Sequence, residues 1–218
     1  MLLSPDLIAF TLSFALLALY ELYIRWRTAR HDPHYTVQAI NAEARRLWVN
    51  SVIEDRRDIL AVQTVRNSTM AAIFLASTAV LLIMGVISLA EHGRDVNLAL
   101  HALNIVGTVD PSLWLIKLLI LVVDLCVAFF AFTQAVRNFN HVGYLLNVPA
   151  ALKHPIITPR YVTNFLNRAA HFYSIGMRTF YFTFPLLLWL FGPQFLGAAS
   201  LLLVLILYRL DRATDAGD

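Results

Sequence analysis

Lys117 and Asp124 stand seven residues apart inside an apolar run from about Ser112 to Val136 of a 218-residue chain. Seven residues make two helical turns, so both fall near one face of a helix. Asp124 would lie about 18 Å along that helix from Ser112, near the middle of a ~30 Å hydrocarbon core. A carboxylate there costs on the order of 2.5–3.5 kcal/mol to insert, so it is expected to face other helices, protonated or paired. It can bind a proton or cation on a transport path. It can equally hydrogen-bond a Ser, Thr or Asn of a neighbouring helix and hold the helices together. Lys117 is shallower, about 8 Å from Ser112. Its stem points toward the helix N-terminus, and the expectation is that it snorkels to the interface. A direct Lys117–Asp124 pair would need both side chains stretched and a water or a second helix between them.

A second constellation combines Arg66, Asn67, Arg137, Asn140 and Arg178, which close the same ends of three apolar runs. Three guanidiniums at one membrane depth repel unless an anion, a lipid headgroup or an acidic partner sits among them. Glu54, Asp55 and Asp58 are near enough in sequence to be that partner. A salt-bridge network, a headgroup site and the mouth of an anion path all fit. Elsewhere, Glu21 and Arg25 have the favoured order of a helical ion pair. His31-Asp32-Pro33-His34 contains a proline that argues against two metal ligands on one helical face. No P-loop, Rossmann glycine pattern, HExxH or nucleophile elbow is present, so no cofactor, metal or catalytic residue is assigned.

The elements that position these groups are set by composition. The chain is 59% hydrophobic and 14% charged, against about a quarter charged in soluble domains. The apolar residues form continuous rather than alternating runs, which selects helices over a barrel. Four spans are expected, at about 7–24, 67–90, 112–136 and 179–208. Two short amphipathic helices, about 36–66 and 159–175, are expected outside the membrane. The stretch from Arg45 to Ala90 contains no proline and reads as one helix that starts in water and ends in hydrocarbon. Val37, Ile40, Ala44, Leu47 and Ile53 form an apolar stripe in its approach. Thr158-Pro159 is a helix start, and Gly176 is expected to end that helix. The run 179–208 contains Phe191-Gly192-Pro193. It reads either as a long kinked span or as two half-helices that dip in and return, and the through-going form is favoured. Ser68, Ala72 and Ala76 form a small-residue stripe suited to close packing. Thr64, Ser68, Ala71, Thr78 and Gly85 form a weakly polar stripe that could line a pore in an oligomer.

Thirteen Lys and Arg residues lie in the two segments between spans one and two and between spans three and four, against Arg94, Arg209 and Arg212 on the other side. The positive-inside rule then places both segments in the cytoplasm and both termini outside. The expected whole is a single all-α membrane domain, a four-helix transmembrane bundle with two cytoplasmic amphipathic helices. A bacterial inner membrane is the expected location, and a homo-oligomer the expected state. The basic segments are interleaved with Glu and Asp, which suits a membrane surface and anionic lipid rather than nucleic acid.

Several stretches carry a resemblance. Arg46-Leu47-Trp48-Val49, Ile59 to Thr64 with Arg66-Asn67 and Met70, Arg137 with Asn140, and Thr158-Pro159 with Tyr161-Val162 occur in that order. Gly176 with Arg178, Phe180-Tyr181, Pro185 to Pro193 and Leu207-Tyr208 with Leu210-Asp211 follow. From about Arg46 to Asp211 the chain resembles an uncharacterised integral membrane family of bacteria and plants, domain of unknown function 599. The resemblance implies a membrane location and no particular activity. Asp124 is not part of its pattern. A small channel or carrier for ions or solutes is the leading expectation. A non-catalytic scaffold or lipid-binding protein is the alternative, and a lipid-modifying enzyme has the least support.

Overall fold

The computed structural model describes residues 5–30, 35–55, 58–91, 111–148 and 154–212. The fold there is all-α, with α1 (Pro5–Arg30), α2 (Val37–Asp55), α3 (Asp58–Glu91), α4 (Pro111–Leu146), α5 (Pro159–Trp189) and α6 (Pro193–Asp211). Four of these, α1, α3, α4 and α6, are long and apolar enough to cross a membrane. The chain is an integral membrane protein. The first three expected spans lie inside α1, α3 and α4. The helix expected through Arg45–Ala90 is described as α2 and α3, and Arg56 and Arg57 lie outside the described residues. So do the His31–His34 pair, Arg94, Pro149 and Lys153.

The described chain divides into two compact units. Unit one comprises residues 1–37, 81–126 and 179–218. Its larger apolar cluster joins Val86 of α3, Trp114, Leu118, Leu121 and Leu125 of α4, Leu186 and Trp189 of α5, and Leu196 of α6. A second cluster joins Tyr20 and Ile24 of α1 and Tyr35 with Leu207 of α6, and Tyr181, Leu203 and Val204 pack against it.

These contacts overturn the through-going fourth span. Tyr181 and Leu203 would stand roughly 33 Å apart on a straight helix, yet they pack on one cluster. Trp189, Leu190 and Leu196 meet in the other. The chain reverses between α5 and α6, and the two halves form a hairpin. The cause is local. Leu190, Phe191 and Gly192 donate to the carbonyls three residues back, which tightens the last turn of α5. Gly192 then has φ 150 and ψ 159, a conformation in which a side chain is strained. Pro193 opens α6 without an N–H to spare.

The hairpin also sets the direction of α6 against α1. Asp6 and Phe10, early in α1, touch Trp189 at the turn. Tyr20, late in α1, donates to Asp211 at the end of α6 at 2.8 Å. An isolated bridge joins Thr36 to Arg212. Helices α1 and α6 therefore run parallel, and the start of α1 and the end of α6 lie at opposite ends of unit one. At the α6 end Arg27 stacks on the Tyr35 ring with its guanidinium carbon 4.4 Å from the centroid. Burial pushes the Tyr35 hydroxyl above its usual range, and a hydrogen bond with Tyr208 adds to this.

Unit two comprises residues 38–80 and 127–178. Its core joins Val49 and Val52 of α2, Ala61, Val65 and Ala72 of α3, Ala135, Phe139, Val142 and Leu146 of α4, and Val162, Leu166 and Ala169 of α5. Helix α2 packs through Val49 and Val52, whereas Val37, Ile40 and Leu47 of the expected stripe are exposed. Arg45 of α2 donates to Asn167 of α5 at 2.7 Å, and partial burial lowers the pKa of its guanidinium. Thr158 caps α5 as expected, accepting from the Tyr161 N–H at 3.2 Å. The small stripe of α3 serves close packing, with Ala72 and Ala76 buried. The hydroxyls of Thr64 and Thr78 donate to carbonyls of their own helix, at Leu60 and Phe74.

Gly176 does not end a helix. It lies buried inside α5, where an added Cβ would sit 2.7 Å from the Phe132 ring. Its role is close approach of α5 to α4, which a terminating glycine and a packing glycine do not distinguish in sequence.

Candidate functional site

Two groups of polar residues are candidates, one in each unit. In unit one, Lys117 and Asp124 take separate partners. The Lys117 ammonium is 2.6 Å from Asp6 Oδ1, donates to the Trp189 carbonyl at 3.2 Å, and lies 5.2 Å from the Trp189 ring centroid. Trp189 Nε1 donates to the same Asp6 oxygen at 2.9 Å. Lys117 is 4% exposed and Asp6 1%. The expected snorkelling is thus corrected: the side chain turns inward because a carboxylate is there to receive it.

The geometry has a backbone logic. Asp6 is in the first turn of α1 and Lys117 meets the last carbonyl of α5. Each charge sits at the helix end whose dipole favours it. Sequence reasoning placed Asp6 only at the mouth of the first span. The available signal was depth, since Asp6 and Lys117 both stand near the start of spans that enter from one side.

Asp124 is half-buried, and its Oδ2 accepts from the Thr183 hydroxyl at 2.7 Å. This is the inter-helix bond expected of a structural carboxyl. Thr183→Val is expected to cost about 0.5–1.5 kcal/mol, the net worth of one such bond. Thermal unfolding in detergent checks it. A loss of several kcal/mol would mean that more than one hydrogen bond depends on the hydroxyl.

In unit two the structure divides the five residues expected at the cytoplasmic mouth. Arg66 and Asn140 line one groove of about 600 Å³ between α3 and α4. Asn67 and Arg137 are exposed beside it on the same two helices, and Arg178 is half-buried on α5. Those three do not line the groove. Its walls alternate by helical period, with Val62, Val65, Arg66, Thr69 and Met70 from α3 and Phe139, Asn140, Gly143, Tyr144 and Asn147 from α4. The floor is apolar because Val65 and Phe139 belong to the core beneath. Gly143 adds width, since a Cβ there would meet nothing within 4 Å.

Among the described residues neither the Arg66 nor the Asn140 side chain has a hydrogen bond or ion pair. Of the acidic residues expected to serve the cluster, Glu54 and Asp55 do not pair with Arg66, and the Asp58 side chain lies outside the described residues. Thr69, Tyr144 and Asn147 were missed, and the signal was available. They continue the i, i+3 and i, i+4 spacing from Arg66 and Asn140 on each helix.

The comparison with known families decides what this chain is related to. The family described as "Protein of unknown function, DUF599" matches residues 8–216. The chain belongs to the DUF599 family. The match extends the resemblance seen from Arg46 onward back through α1 to residue 8, so nearly all of both units of this DUF599 chain falls within it. No significant match was found among the curated proteins or the solved structures.

Proposed function

We propose that this DUF599 protein is a non-catalytic membrane protein that holds an anionic lipid in the groove between α3 and α4. One observation carries the reading. A guanidinium with no partner among the described residues, Arg66, stands beside Asn140 at the edge of a groove with an apolar floor. An amphiphile with an anionic head matches both parts. The uncharged run of α3 begins at Asn67, which puts Arg66 at the depth of lipid phosphates.

Charge bias supports a cytoplasmic-leaflet site. With α6 parallel to α1, Arg209 and Arg212 join the thirteen basic residues of the cytoplasmic segments. Arg94 and the buried Lys117 are then the remaining basic residues. We place the start of α1 outside and the end of α6 inside, with α5 as a fifth crossing. In that stretch Leu186 and Trp189 are buried against the bundle, while Phe184, Leu187 and Leu188 are exposed.

Lipid extracted from protein purified in mild detergent tests the proposal. Arg66→Gln is expected to reduce retained anionic lipid roughly tenfold or more, given ~1.5–3 kcal/mol for a charged hydrogen bond. Equal lipid content in variant and wild type counts against it.

A carrier or channel is a second reading, favoured by one observation, the half-buried Asp124 midway along α4. Its carboxylate is already engaged by Thr183, which favours the structural role. Ion flux in proteoliposomes that is abolished by Asp124→Asn would restore transport as the leading reading.

A further inference from the structure

The buried core of unit one is in two pieces, and polar residues stand at the border between them. The larger piece extends to Leu125 of α4, Leu186 of α5 and Leu196 of α6. The smaller one holds Tyr20 of α1 and Leu207 of α6, with Tyr181 and Leu203 packed against it. At the border lie Ser13, Asp124, Thr183 and Ser200. Two sets of contacts fix the register. Asp6, Lys117 and Trp189 meet at one level. Asp124, seven residues along α4, and Thr183, six residues back along α5, meet at the next. Ser13 is seven residues beyond Asp6 and seven before Tyr20, and Ser200 is seven beyond Pro193. Seven residues are about 10 Å of helix, so both serines share the level of Asp124.

This layer has oxygen lone pairs to spare. Ser200 is fully buried, and its Oγ has no hydrogen-bond partner. Ser13 is buried and makes no hydrogen bond among the described residues. Helical Ser and Thr can return the hydroxyl to the preceding turn, as Thr11 does to the Leu7 carbonyl, but these two do not. Asp124 accepts through Oδ2, and among the described residues no Lys or Arg pairs with it. Pro185 is buried inside α5 and has no N–H for the Tyr181 carbonyl. That carbonyl points along the helix toward the level of Thr183.

A carboxylate without a counter-charge is costly at this depth. A proton would cancel the charge and leave the other oxygens idle. A water molecule would engage the oxygens and cancel no charge. A small monovalent cation does both. An all-oxygen ligand set suits a hard cation, and a single carboxylate balances one positive charge and not two. We propose that Asp124, Thr183, Ser13 and Ser200, with the Tyr181 carbonyl, hold one monovalent cation of the sodium class between α1, α4, α5 and α6. The serines turn lone pairs to the ion and return their hydrogens to the preceding turn, as Thr11 does. Apolar clusters lie on both sides along the helices, so the ion is held rather than passed.

Binding of radioactive sodium to the full-length protein in detergent tests this, at fixed pH and with N-methylglucamine keeping the ionic strength constant. Saturable binding of one ion per chain is expected. Ser13→Ala and Ser200→Ala each remove one ligand and are expected to weaken binding roughly tenfold. Asp124→Asn is expected to abolish it. Sodium is also expected to raise the thermal midpoint of the wild type and not that of Asp124→Asn, a comparison that holds even if the variant starts less stable. No saturable binding in the wild type, full binding in Asp124→Asn, or binding that neither serine variant weakens would overturn the site. The α3–α4 groove takes no part in it, so each of these results leaves the lipid reading as it stands.

Discussion

Lys117→Met is expected to be the most damaging single substitution in unit one. It removes the ammonium and leaves the Asp6 carboxylate, 1% exposed, without its counter-charge. Breaking one side of a buried pair typically costs about 3–5 kcal/mol, whereas replacing both sides is often close to neutral. The double variant Asp6→Asn with Lys117→Met is therefore expected to recover most of the loss. The Asn carbonyl can still accept from Trp189 Nε1, which now donates at 2.9 Å. Thermal or denaturant unfolding of the three variants in one detergent measures this. If Lys117→Met unfolds with the wild type, or if the double variant is no better than the single one, the pair does not hold α1 to α4 and α5 as described.

The second large effect is expected at Gly176. Alanine is the better helix former by about 1 kcal/mol, so a glycine inside α5 would ordinarily gain from the change. Here the added Cβ would lie 2.7–2.8 Å from three atoms of the Phe132 ring. That ring is fully buried and set edge-on to Tyr173 with centroids 5.8 Å apart, so it has little room to yield. Overpacking typically costs 1–3 kcal/mol, about enough to exceed the helical gain. Gly176→Leu enlarges the clash and is expected to be clearly destabilising. Phe132→Leu is expected to relieve Gly176→Ala in part. A Gly176→Ala variant more stable than the wild type would show that α4 and α5 separate easily at this point.

The spans of α1, α3 and α4 were legible because lipid, as a solvent, demands long uncharged runs with their backbone bonds inside the helix. The cap at Thr158 was legible because it is chemistry within four residues. The hairpin was not. A run of 30 apolar residues from 179 to 208 suits a kinked span as well as two packed half-helices. What separates them is tertiary, namely Tyr181 against Leu203 and the backbone at Gly192. The direction of α6 relative to α1 was hidden for the same reason, since it depends on that reversal.

The candidate site shows the same division. Asp124 was marked as a group needing a partner, and Thr183, one helix away, is that partner. Lys117 was marked too, but Asp6 lies 111 residues earlier in sequence. Nothing in local pattern links the two. The Arg and Asn cluster was recognised by charge and depth. Only the packing of α3 on α4 separates Arg66 and Asn140, which share a groove, from Asn67, Arg137 and Arg178, which do not line it.

The most direct measurement is a structure of the full chain in a bilayer disc containing phosphatidylglycerol, with density resolved around Arg66. A lipid phosphate within about 2.7–3.2 Å of the Arg66 guanidinium and of the Asn140 amide is expected, with an acyl chain along Met70 and Phe139. Arg66 engaged by a protein carboxylate, with ordered headgroups elsewhere on the surface, would contradict a lipid site in the α3–α4 groove.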